Sequence, residues 1–146
     1  MSRVTVQLPE HFPFTATIPI RITDLNYGGH VGNDSILTLL HEARMQYLHS
    51  IGYTELAFEG VGLIMSDAAI EFKGELFYGE AIFIAVAASV TSKVGFDLVY
   101  RIYNSKGTNL VLARTGMICF DYAAKKVRPI PAPALNKLEN RNENVE

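Results

Sequence analysis

The sequence predicts an α+β domain in which one long helix packs on an antiparallel sheet. Three observations predict it. Helical periodicity is sustained only between Ser35 and Ile51, four β-rich segments follow in succession, and a further strand precedes the helix. The chain has 146 residues, 49% of them hydrophobic. That length buries a full core but does not hold two independent ones. The reading is therefore one domain over residues 1–135, followed by a flexible polar tail over 136–146.

The first strand falls within residues 12–24, where Thr17-Ile18-Pro19-Ile20-Arg21-Ile22-Thr23 alternates in polarity. Pro19 lacks an amide donor, so it places this strand at an edge or a bulge. Asp24-Leu25-Asn26-Tyr27-Gly28-Gly29 is turn chemistry. From Ser35 onward Ile36, Leu40, Ala43, Tyr47 and Ile51 form one apolar stripe, with Asn33 or Asp34 expected to cap its start and Gly52 to end it. A short helical turn is expected over Thr54 to Phe58. Strands are expected at Gly62–Phe72, Ala81–Thr91, Phe96–Asn104 and Val111–Tyr122, which makes five in all. A single helix cannot cover a whole sheet face, so self-association as a dimer or tetramer is expected.

Composition excludes several functions. A formal net charge of -2 without a basic block argues against a nucleic-acid surface. Cys119 is the only cysteine, which excludes an internal disulfide and thiolate-rich metal centres, and its apolar neighbours Met117, Ile118 and Phe120 read as core. No stretch has the length of a membrane span and Met1 to Pro9 lacks the pattern of a signal peptide, so a cytoplasmic location is expected. The His residues do not gather acidic partners at ligand spacing, and no metal or other cofactor is expected.

Chemistry concentrates before the helix. Residues 21–33, Arg21-Ile22-Thr23-Asp24-Leu25-Asn26-Tyr27-Gly28-Gly29-His30-Val31-Gly32-Asn33, combine a carboxylate, an amide, an imidazole and accessible backbone. A helix start offers unpaired N–H donors and partial positive charge, able to hold an anion or a developing oxyanion. By residue type alone this is a ligand site of generic character. Taken singly, His30 also suits a cap, Asp24 a brace to Arg21, and Asn26 a turn.

The segment Asp24–Asn33, followed by Glu42-Ala43-Arg44 and later Ile70-Glu71-Phe72, resembles the hotdog-fold thioesterases. These include the hydroxybenzoyl-CoA thioesterase type and the plant acyl-carrier-protein thioesterases. The latter read D-L-D-x-N-x-H-V-N-N here, with a Glu twelve residues after the His, where this chain has Glu42. The resemblance spans about residues 12–132 and implies one central helix wrapped by the sheet, acyl-CoA as substrate and hydrolysis of its thioester. The family's second Asp, its nucleophile or base, falls on Asn26, and its next Asn falls on Gly28. A carboxamide does not accept a proton at neutral pH.

Among the replacements, His30 matches the family His, and an imidazole has an intrinsic pKa near about 6.5. Glu75 resembles the Glu of the plant E-x-x-R-E segment. The expected set is His30 with Glu75 as acid and base, Asn26 as positioner and Asp24 as orienter. Backbone amides around Gly28, Gly29 and Val31 are expected to polarise the carbonyl, and Ile64, Met65 and Ala68 suit either an acyl pocket or the core. Lys125, Lys126 and Arg128 are candidate contacts for the CoA phosphates; Glu42 is expected to face solvent or a subunit. Two alternatives stand beside hydrolysis. One is a non-catalytic acyl-CoA binder, suggested by Asn26. The other is a hotdog hydratase or dehydratase, whose G-H-F segment Gly29-His30-Val31 resembles without the surrounding Pro-rich pattern.

Overall fold

The computed structural model describes residues 3–143. The chain runs through β1 (Phe14–Pro19), a 3₁₀ turn (Ile22–Asp24), α1 (Asn33–Ser50), β2 (Gly62–Phe72), β3 (Ala81–Val90), β4 (Gly95–Tyr103), β5 (Asn109–Asp121), β6 (Lys126–Val127) and α2 (Ala132–Glu143). The strands form one antiparallel sheet in the order β1-β3-β4-β5-β2, with the two-residue β6 paired to β5. This is the α+β hotdog arrangement, with six strands where five are expected. The additional strand is too short to show a period of two.

Alternation along the strands explains the core. Ile82, Ile84 and Val86 of β3, Leu98, Tyr100 and Ile102 of β4, and Ala113, Met117 and Cys119 of β5 face α1, which buries Ile36, Leu40, Ala43 and Tyr47 against them. The expected stripe on α1 is therefore the buried face. Burial pushes the Cys119 thiol up to about 11, so it stays protonated as a core side chain. Pro19 closes β1 at the sheet edge, where a missing donor is tolerated.

Several local expectations change. The N-cap of α1 is Gly32, and it makes no side-chain cap; Asn33 and Asp34 already lie inside the helix. Gly52 ends it as expected, in the left-handed region at φ +92°, with its amide bonded to the His49 carbonyl. Thr54 to Ala57 closes as a tight turn of reciprocal backbone bonds, not a helix. The tail expected from Asn136 is helical to Glu143, because Ala134 and Leu138, one turn apart, bury against the core; residues 144–146 lie outside the described residues.

The N-terminal segment crosses the sheet face away from α1. There Val6 packs on Val99 and Leu112 beside Phe12. Its amide donates to Glu71 Oε1 at 2.7 Å, and this bond, with Lys73 beside it, holds the Glu71 carboxyl below its ordinary range. A depressed carboxyl favours the folded contact above the unfolded pKa of about 4.3 and loses that contribution as pH falls through the lower folded value. Protection of the Val6 amide from exchange is accordingly expected at neutral pH and lost on acidification below the ordinary Glu range. Equal protection of this amide in wild type and Glu71→Ala at pH 7 by NMR would refute this anchor.

Candidate functional site

The corner between the 3₁₀ turn and α1 is built by short backbone pairings. Leu25 bridges Val31, and His30 bridges Phe77 of the β2–β3 connection, which carries Glu75 to the mouth of the corner. The Asn26 backbone N–H donates to the His30 carbonyl at 2.9 Å, and its side-chain Oδ1 accepts the Gly28 N–H at 2.8 Å. Gly29 sits at φ +83°, which this reversal requires and which a side chain would strain.

His30 stands at the centre of the site. Its Nδ1 lies 3.3 Å from the Val31 carbonyl, which can only accept, and this assigns the ring proton to Nδ1 and leaves the lone pair on Nε2. Nε2 is 3.9 Å from Glu75 Oε1; the imidazole is 36% exposed and the carboxylate 60%. The gap exceeds a hydrogen bond and lies within ion-pair distance when the imidazole carries a second proton. A Cβ on Gly28 would lie 3.2 Å from Asn26 Oδ1 and 3.4 Å from His30 Nε2, so the absence of a side chain there keeps both groups accessible. Asn26 and His30, four residues apart, thus flank Gly28, and the distant Glu75 is brought to His30.

The remaining expected residues sit differently. Asp24 is buried, and its carboxylate takes the Arg21 amide at 2.8 Å and the guanidinium at 3.2 Å; it braces the 3₁₀ turn and does not orient His30. The amides expected to polarise a carbonyl are already engaged: Gly28 by Asn26 Oδ1, Gly29 by the Asn26 carbonyl, and Val31 by the Leu76 carbonyl. The uncapped first turn of α1, at Asn33 and Asp34, supplies donors in their place. Glu42 is exposed and accepts a bond from Gln46. Lys125, Lys126 and Arg128 lie at the far end of β5, where Lys126 pairs with Asp121, whereas Leu110 at the near end bonds Lys73 and Gly74. They thus lie at the opposite end of β5 from the β2–β3 connection of the same chain.

Two features were missed from the sequence. Asp34 lies on the other flank of Asn26: the position a Cβ on Gly32 would take is 2.6 Å from Asp34 Oδ1 and 3.5 Å from Asn26 Cβ. Further along α1, Arg44 is buried. Its Nε donates to Glu55 at 3.1 Å and its Nη1 to the Tyr100 hydroxyl at 3.2 Å, while Tyr100 and Thr115 share a bond of 2.7 Å and His41 Nε2 lies 2.6 Å from Glu55. Burial raises the Tyr100 pKa and keeps it a hydroxyl. Arg44 and His41 border a recess of ≈ 240 Å³ with Leu37, Thr38 and Met65. Larger hollows lie elsewhere, such as the one of ≈ 490 Å³ beside Phe14, Met45 and Tyr53, but the convergent polar groups are at the corner. Among the described residues no three His, Cys, Asp or Glu side chains gather to hold a metal ion.

Known proteins share this architecture. The chain is 26% identical over 117 residues, covering 78% of this chain and 80% of the relative, to 1,4-dihydroxy-2-naphthoyl-CoA hydrolase of Thermosynechococcus vestitus. The structure of a 1,4-dihydroxy-2-naphthoyl-CoA thioesterase from Synechocystis superposes with a TM-score of 0.80 at 22% identity, over 87% of this chain and 96% of that one. A thioesterase from Thermus thermophilus, complexed with coenzyme A and Zn, gives 0.81 at 16% identity, over 94% and 100%. The sequence also matches the Thioesterase-like superfamily profile over residues 20–138. That span takes in the corner, the central helix, the β2–β3 connection with Glu75 and the strands β2 to β5, so the chain belongs to the thioesterase-like superfamily.

Proposed function

We propose that the protein hydrolyses an acyl-CoA thioester to the free acid and CoA. The observation that carries this reading is the convergence of Asn26, His30 and Glu75 before the uncapped start of α1. A thioester carbonyl set against the first-turn amides gains stabilisation as negative charge develops on its oxygen. Asn26 replaces the family's catalytic Asp; it orients water or substrate without taking a proton. His30 Nε2 is the atom at which a proton is gained or lost, and Glu75 stabilises the imidazolium. The acyl group runs down α1: Leu37 follows Asn33 by one turn and His41 follows Leu37, which leads into the recess beside Met65.

The assay is thiol release from short, long and aromatic acyl-CoA. Turnover of at least one class is expected. CoA binding without thiol release from any member would sink the reading and favour a non-catalytic binder. That second reading draws on the Asn26 carboxamide, and a pocket of that kind would gain turnover with Asn26→Asp.

The oligomer follows from β2. Among the described residues this eleven-residue strand has β5 as its one strand partner, its other edge meets only the Glu55 carbonyl at Leu63, and the exposed Met65 on it shares a recess with the exposed Leu37. A second copy pairing there would cover them and roof the recess, building the site across the contact. Sedimentation is expected to give twice the chain mass; a monomer at micromolar concentration would overturn this assembly. A lone buried thiol suits the reducing cytoplasm.

A further inference from the structure

We propose that Asp34 is the carboxylate base of this site, taking the place of the one that Asn26 lacks. The assignment rests on the hydrolase reading and narrows His30 to protonating the leaving sulfur. Three observations support it. The carboxamide at Asn26 is held by the Gly28 amide and has no capacity to accept a proton. Asp24, the nearest carboxylate in sequence, is buried against Arg21. Asp34 reaches the same place from the helix side, because its Oδ1 lies 2.6 Å from the point where a Cβ on Gly32 would sit, itself only 3.5 Å from Asn26 Cβ.

Gly32 is what permits this. It is buried, and its backbone lies at φ -71°, ψ 152°, which any residue adopts. Conformational need therefore does not explain the glycine. Space does: the missing side chain leaves room for the Asp34 carboxylate to fold back beside Asn26. Asn26 then stands between two proton-handling groups, with His30 Nε2 across Gly28 and Asp34 Oδ1 across Gly32.

The chemistry closes on these groups. As water attacks the carbonyl carbon, its O–H bond breaks, the new C–O bond forms and the proton passes to Asp34. His30 Nε2 first takes a proton from solvent beside Glu75; collapse of the intermediate breaks the C–S bond, and the sulfur takes that proton. Asp34 then loses its proton to solvent and His30 is again the neutral ring, leaving acid and CoA thiol as products.

The test is kcat and KM for acyl-CoA in wild type, Asp34→Asn, Gly32→Ala and the Asn26→Asp/Asp34→Asn double variant, each checked for an unchanged melting temperature. Asp34→Asn is expected to lower kcat by about 10²-fold or more. Gly32→Ala displaces the flexible end of Asp34 without straining the backbone and is expected to lower kcat in the same direction. The double variant returns a carboxylate to position 26 and is expected to recover at least about tenfold of the loss. A merely structural Asp34 would lower the melting temperature, spare kcat and show no recovery. Wild-type kcat in Asp34→Asn, or a loss that the double variant does not repair, overturns the assignment. No thiol release by any variant or by wild type overturns the hydrolase reading itself.

Discussion

His30→Ala is expected to lower kcat/KM toward acyl-CoA by about 10²- to 10⁴-fold, the range associated with loss of a positioned proton-transfer group. The imidazole sits on a bend whose pairings are made by backbone, with Asn26 donating to the His30 carbonyl and Val31 donating to Leu76. Removing the ring leaves those bonds in place, so the melting temperature and CoA binding are expected to hold. His30→Gln is the sharper control: a carboxamide can keep a bond to the Val31 carbonyl but cannot exchange a proton. Retention of wild-type kcat/KM in either variant, measured by thiol release, would remove His30 from the mechanism.

The largest effect on stability is expected from Arg44→Met. The substitution keeps apolar volume in the helix but leaves Glu55 with His41 alone and takes a donor from the Tyr100 hydroxyl. Breaking a buried pair on one side costs about 3–5 kcal/mol, and Glu55, with a side chain 21% exposed, places the loss near about 3 kcal/mol. Arg44→Met with Glu55→Gln should recover part of it, since the uncompensated charge is then gone. Chemical denaturation measures both. A loss within about 0.5 kcal/mol, the size expected of an ordinary surface substitution, would show that the guanidinium is not the tie described.

Much of this fold is legible in the sequence because its elements obey strong periods. The stripe Ile36, Leu40, Ala43 and Tyr47 could only be a helix face, and the runs at 62–72 and 81–90 carry the branched and aromatic side chains of strands. What escaped lacks a period or depends on distant partners. The α2 segment offers only a short run of anchors, Ala134, Leu135 and Leu138, before a polar stretch. Arg44 reads as an exposed charge until Glu55 and Tyr100 are folded over it. At the site, the long stretch of chain between His30 and Glu75 carries no local signal, and their pairing was anticipated through resemblance. Which amides are free was not legible at all: Gly29 and Val31 lost theirs to Asn26 and Leu76, bonds that only the folded corner makes. Asp34 was read as a capping residue because its role depends on the empty space above Gly32.

The chain of bonds from Glu55 through Arg44 and Tyr100 to Thr115 also has a topological meaning. Its members come from a loop, the central helix, β4 and β5, and the widest link spans 56 residues of sequence. No subset of neighbouring residues can assemble it, so it forms only when helix and sheet have docked. Tyr100 and Thr115 both face inward, and a slip of one residue between β4 and β5 would turn one of them to the opposite side of the sheet. Hydrophobic side chains along these strands are similar enough to tolerate such a slip; a guanidinium that must meet one particular hydroxyl is not. The network thus acts as a register key, selecting the alignment of strands that also brings the start of α1 and the β2–β3 connection to the same corner.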